Sequence, residues 1–277
     1  MENYSKEFPE TAPTIRDMYA KKIAELRLMD DDFMRVCLRD NIPAVQRILD
    51  VILPEEHLAV QQVFTQEDFK NLEGHSVSLD VLASDQHGKQ YNIEIQRKDH
   101  GASKERARYH VGMIDSHSLK AKTDYTALPE AYVIFITERD VLKRGWPIYH
   151  IERVIMETKE LFQDGEHIIY VNGAHTDTTT DLGKLMADFR AVDPDKMYNS
   201  VLAERVRHFK NTEEGVGSMC KIMEDIANQR TWTDFCRTVK NMYSDGVSLE
   251  DIMKFAKYSC HTADDVQKAF KELGISI

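Results

Sequence analysis

No apolar run in this chain approaches the roughly 20 residues that a membrane-spanning helix needs, so the sequence contains no such span. Cysteine is scarce. Cys37, Cys220, Cys236 and Cys260 lie far apart, without the close pairs of a metal knuckle or the density of a disulfide-stapled fold. The opening MENYSKEFPE has no basic stretch leading into an apolar one, so it does not read as a signal peptide. A reduced, cytoplasmic protein with no membrane partner is the expectation. There is no internal repeat and no low-complexity stretch. Positive charge is in deficit, with 36 Lys and Arg against 47 Asp and Glu and a net charge of −11, which by itself argues against a phosphate-binding surface.

Against these absences, 42% of residues are hydrophobic and 30% charged. A chain of 277 residues can therefore bury one large core or two modest ones. The charge is uneven. Between Arg97 and Lys122 seven basic residues face three acids. Taken blandly, that segment is a solvated helix face; taken functionally, it is a phosphate track.

Patterning predicts a mixed α/β domain followed by helices. Residues 1–13 look like a loose tail, and a helix with an Ile15, Met18, Ile23, Leu26 stripe runs from Thr14 to Met29. A second helix starts at Asp30-Asp31-Asp32, whose carboxylates suit a helix N-terminus, and a third spans Ala44–Ile52 before Pro54. Strands follow at Val60–Thr65, His75–Ser84 and Gln90–Arg97, then a helix at Lys104–Leu119 and a buried strand, AYVIFIT, at Ala131–Thr137. Further strands are predicted at Ile148–Met156 and His167–Val171, and helices from Leu182 onward. Ser248-Leu-Glu-Asp251 and Thr262-Ala-Asp-Asp265 fit capping boxes, and Gly274 stops the last helix. The acids of that helix suit packing or subunit contact better than entry into a DNA groove. The domain boundary expected from this pattern separates 1–195 from a helical 196–277.

The informative stretch is HSVSLDVLASDQHGKQYNIEIQR, His75–Arg97. Strand alternation puts Val77, Leu79 and Val81 on one face and Ser78 and Asp80 on the other. In the partner strand Tyr91, Ile93 and Ile95 oppose Asn92, Glu94 and Gln96. If Asp85 pairs with Lys89, the loop is Gln86-His87-Gly88, with glycine where a three-residue hairpin loop wants a left-handed backbone. Asp80 then lies opposite Glu94. Facing carboxylates repel, and a divalent cation turns that repulsion into attraction; all-oxygen ligands suit Mg²⁺ or Mn²⁺. The bland alternative is a hairpin whose polar face meets water.

Asp80, followed after the turn by YNIEIQ, resembles the PD-(D/E)XK nuclease motif. The chain as a whole resembles the PD-(D/E)XK nuclease family transposases, relatives of the bacterial recombination-promoting nucleases. DDDFMRVCLRDN, GHSVSLDVLASD, YNIEIQR, ERARYHVGMIDSHSL, PEAYVIFIT, PIYHIERV, HIIYVNG and MCKIMEDI follow that family's order over Asp30–Ala227. The resemblance implies a restriction-endonuclease-like mixed central sheet flanked by helices. It also implies a metal-dependent endonuclease acting in DNA recombination or transposition, with Asp80, Glu94 and Gln96 catalytic. The metal ligands would be Asp80, Glu94 and the carbonyl of Ile95, holding Mg²⁺ with Mn²⁺ as the substitute. Arg97, Lys104, Arg106 and Arg108 are then expected on the DNA backbone, and a homodimer would supply the two sites a double-strand break needs. Gln96 departs from the wider superfamily, which has Lys there. An amide can orient water by hydrogen bonds but carries no charge. The alternative is a nuclease fold without turnover, serving as a DNA-binding or protein-interaction module. Asp30 or Asp32 would complete the acid set if neither simply caps its helix.

Overall fold

The computed structural model describes residues 14–54, 56–70, 75–97 and 99–275. The expected tail at residues 1–13 lies outside them. The chain divides into two compact units, Lys21–Gly215 and a second made of Met1–Ala20 with Val216–Ile277.

Helix α1 spans Ile15–Glu25, and α2 (Asp31–Leu38) and α3 (Ile42–Ile52) follow. On α3 the buried residues Ala44, Val45, Ile48, Leu49 and Ile52 form one stripe at helical spacing. Asn41 caps it by accepting the Ala44 N–H at 3.2 Å. Six strands build one sheet: β1 (Val60–Phe69), β2 (Val77–Asp85), β3 (Gln90–Gln96), β4 (Ala131–Thr137), β5 (Ile148–Ile151) and β6 (Glu166–Asn172). Their spatial order is β1-β2-β3-β4-β6-β5. β1–β2, β2–β3 and β5–β6 pair antiparallel; β3–β4 and β4–β6 pair parallel. Helix α4 (Lys104–Ser118) makes the crossover from β3 to β4, and α5 (Asp181–Arg190) and α6 (Ser200–Asn211) complete this unit. It is a restriction-endonuclease-like α/β fold.

Every residue of β4 is buried, as expected of a central strand covered on both faces. One face carries Ala131, Val133 and Phe135, which pack with Ala107, Val111 and Ile114 of α4. On the other side α2 and α3 lie against β1, and α2 also contacts β2 and β3.

Three expectations change. β1 runs on to Phe69 because Gln66, Glu67 and Asp68 extend an edge strand against β2, where a polar run is tolerated. β5 stops at Ile151, where its pairing with β6 ends; Val154 instead bridges Leu161. α1 ends at Glu25, and the Arg27 N–H goes to the Asp30 carboxylate at 2.8 Å.

In the second unit, α7 (Glu213–Ser244) leads to α8 (Leu249–Tyr258) and α9 (Ala263–Glu272). Phe235, Val239, Ile252, Ala256, Val266 and Phe270 form its core. Ser248 caps α8 by accepting the Asp251 N–H, and Thr262 with Asp265 makes a complete capping box on α9. Gly274 stops α9 with φ +67°, a left-handed conformation that glycine adopts without penalty.

Candidate active site

The hairpin loop sets the geometry. The Asp85 N–H donates to the Lys89 carbonyl at 3.2 Å, and Gly88 sits at φ +83°. The Asp85 carboxylate holds the loop from inside, accepting the N–H groups of His87 and Lys89 at 2.8 and 3.0 Å and the Tyr91 hydroxyl at 3.0 Å. This fixes the register Ser84↔Gln90, Ala83↔Tyr91, Leu82↔Asn92 and Val81↔Ile93. There the ladder ends. The next position on each strand is Asp80 and Glu94, and their side chains take over from the backbone. The Asp80 N–H donates to Glu94 Oε1 at 3.1 Å, and the Ile95 N–H donates to Asp80 Oδ2 at 3.2 Å.

Neither carboxylate faces open water: Glu94 is 0% exposed and Asp80 8%. The bland expectation of a solvated polar face does not hold: α2 side chains reach Asp80, and α4 side chains reach Glu94. Each acid is met by an arginine from a different helix. Arg35 of α2 donates to Asp80 Oδ1 at 2.8 Å and is also bonded to Asp32. Arg106 of α4 donates to Glu94 Oε2 at 3.1 Å, to His110 Nε2 at 3.1 Å and to the Gly101 carbonyl at 3.1 Å. Burial pushes the Glu94 carboxyl up from its ordinary range, and the neighbouring Asp80 charge adds to that. Burial also raises Asp80, although Arg35 opposes it.

His110 is neutral. Burial, with Arg106 beside it, lowers its pKa to about 4. Because Nε2 accepts from Arg106, the ring proton belongs on Nδ1. The Asn92 amide stands 3.1 Å from that nitrogen and Glu94 Oε1 stands 3.6 Å away. The Asn92 Oδ1 has no partner among the described residues.

Gln96 ends β3 half-buried, against Gly101 in the short 3-10 turn Asp99–Ala102. A Cβ on Gly101 would fall 2.0 Å from Gln96 Oε1, so only glycine leaves the amide where it is. Gly101→Ala is expected to leave the melting temperature nearly unchanged, since the displaced atom ends a flexible side chain. If Gln96 orients the attacking water, the same change lowers the cleavage rate by roughly 10- to 100-fold. Plasmid nicking alongside thermal unfolding checks both halves.

The expected DNA contacts divide. Lys104 and Arg108 are exposed on α4. Arg97 is half-exposed, and it pairs with Asp30 at 2.7 Å and Glu138 at 3.5 Å. Arg106, expected on the DNA face, turns inward to Glu94. Asp30 occupies the N-cap position of α2 without a side-chain capping bond. Among the described residues, no group of three or more His, Cys, Asp or Glu is arranged to hold a metal. Sequence patterning missed Arg35, His110 and Asn92. The signal for His110 lay within the buried stripe Ala107, Val111, Ile114, where a polar residue four positions after Arg106 needs a partner.

A mixed six-stranded sheet with flanking helices is the architecture of the restriction-endonuclease-like folds. Residues 38–187 match the model of the PD-(D/E)XK nuclease family transposases, and the chain belongs to that family. No curated protein and no solved structure matches it. Family membership supports a function of the nuclease or transposase type, and nucleases of this kind generally use divalent metals. No helix among the described residues is long and apolar enough to cross a membrane.

Proposed function

We propose that this chain is a divalent-cation-dependent deoxyribonuclease that hydrolyses phosphodiesters at Asp80, Glu94 and Gln96. One observation carries the reading: two buried carboxylates, both with proton affinity raised by burial, converge where the β2–β3 ladder stops. Their donor chemistry fits a hard cation. Both offer oxygen, and two carboxylates leave coordination positions for water and phosphate oxygens, as suits Mg²⁺ or Mn²⁺. Asp80 and Glu94, with the Ile95 carbonyl, would hold it. When bound, such a cation supplies Lewis acidity toward water and phosphate.

The chain's own residues do the rest. Arg35 and Arg106 hold the two acids in orientation. The Gln96 amide accepts a hydrogen bond from the attacking water and aligns it. Lys104 and Arg108 hold backbone phosphates without reading sequence. The Lys21–Gly215 unit carries this chemistry, and a second copy would supply the second site for a double-strand break. The inactive alternative, a DNA-binding or protein-interaction module, draws on one observation: both acids already have an arginine partner.

Nicking of supercoiled plasmid separates the two readings. With Mg²⁺ or Mn²⁺ the wild type is expected to nick, and Asp80→Ala to lose activity by on the order of 10³-fold. Equal products from both proteins would reject catalysis at this site.

A further inference from the structure

We propose that the cleft between α4 and the β5–β6 end of the sheet takes one unpaired nucleotide of the DNA substrate. The inference rests on the proposed nuclease function and adds a preference for single-stranded or unstacked DNA.

Sheet register builds the cleft. Phe135↔Tyr170 in the parallel ladder, and Tyr149↔Tyr170 and Ile151↔Ile168 in the antiparallel one, put these residues on the face that α4 covers further in. At the β5–β6 end that cover runs out. Tyr149 and Ile168 are left half-buried and Ile151 exposed. The side of α4 and the loop carrying Leu142 and Arg144 wall the space, which measures about 610 Å³. That lies within the roughly 300–1,000 Å³ of small-molecule sites.

Its charge is unlike that of the chain. Lys104, Arg108 and Arg144 line the cleft, and none is in an ion pair among the described residues. The two acids there are already engaged, Glu166 by Arg153 and Glu152 by His167 at 2.8 Å. The Arg144 loop is fixed in place. The Tyr149 hydroxyl accepts the N–H groups of Arg144 and Trp146 at 3.3 and 3.1 Å and donates to Asp140 at 2.8 Å. The Tyr149 oxygen is thereby used, leaving its ring for apolar contact. At the floor Tyr170 is 2% exposed, and its hydroxyl has no partner among the described residues. A buried hydroxyl left unpaired is costly, and a ligand edge would satisfy it.

An apolar and aromatic floor, one unspent hydroxyl and a rim of three free cations match a base and its phosphate. Stacked bases of a duplex present no free face to such a floor; an unpaired base does. Arg108 also lines the cleft on the other side of α4, beside Ser78, Arg106 and His110. One strand passing over Arg108 would therefore connect this cleft to the side of α4 that holds Glu94.

The test is fluorescence anisotropy of the full chain in EDTA, with a labelled oligo(dT) 12-mer and a duplex of equal length. Arg144→Ala is expected to weaken single-strand binding about fivefold and to lower the salt slope by about 0.7. Its affinity for duplex should stay within about twofold. Tyr170→Phe is expected to weaken single-strand binding without lowering the melting temperature. Equal losses for both DNA forms with Arg144→Ala, or unchanged single-strand affinity in both variants, would overturn the proposal. Plasmid nicking by the same proteins keeps the two readings apart. A wild type that nicks while its variants bind single strands unchanged defeats only this inference; a wild type that never nicks defeats the nuclease reading.

Discussion

Glu94→Gln is expected to remove nicking by on the order of 10³-fold while raising the melting temperature of the metal-free protein at pH 8. The two effects share a cause. Glu94 is fully buried, and burial together with the Asp80 charge holds its folded pKa above the unfolded value. Between those two values the folded state binds more protons than the unfolded chain, so stability falls as pH rises through the window. The contribution is complete below the ordinary carboxylate range and is lost once Glu94 ionises. Glutamine keeps the shape and an acceptor for the Asp80 N–H but cannot ionise. A gain of about 1–2 kcal/mol corresponds to about 2–8 °C for a domain of this size. Thermal unfolding of wild type and variant from pH 5 to pH 8 reads this out: the curves should converge at pH 5 and separate at pH 8. A variant that melts lower than wild type at pH 8 would show that the Glu94 charge stabilises the metal-free fold.

Arg35→Ala should act in the opposite direction. It removes the α2 partner of an almost buried carboxylate, and breaking such a pair costs about 3–5 kcal/mol. A fall in melting temperature of roughly 6–20 °C follows at neutral pH. Adding Asp80→Asn to Arg35→Ala is expected to recover part of the loss, because the stranded charge is gone. In the single variant Mn²⁺ should recover part of it by supplying the missing positive charge. If the double variant is no more stable than Arg35→Ala, the Arg35–Asp80 pair is not the source of the loss.

Local chemistry made much of this fold legible in the sequence. Asp85 and Gly88 are turn residues with a specific demand on the backbone, and they fix the register that sets Asp80 opposite Glu94. The AYVIFIT run allows little besides a central strand, and the Ser248 and Thr262 caps mark helix starts. Interactions spanning distant elements were hidden. Arg35 and Asp80 are 45 residues apart, and nothing on α2 alone says that this arginine turns toward the sheet. Arg106 shows the same limit: its place on a basic helix does not reveal that, from beside His110, it also reaches the buried Glu94. The cover that α2 gives to Asp80 and α4 gives to Glu94 decided the character of the site. Alternation along β3 shows which side chains share a face, but says nothing of what lies over it.

The central claim is that Asp80 and Glu94 bind one hard cation between them, and titration calorimetry of Mn²⁺ into the metal-free protein tests it most directly. The wild type should take up the ion at a discrete site, with heat that disappears in both Asp80→Asn and Glu94→Gln. Uptake that is the same in all three proteins would place the cation elsewhere and leave the two acids a structural pair.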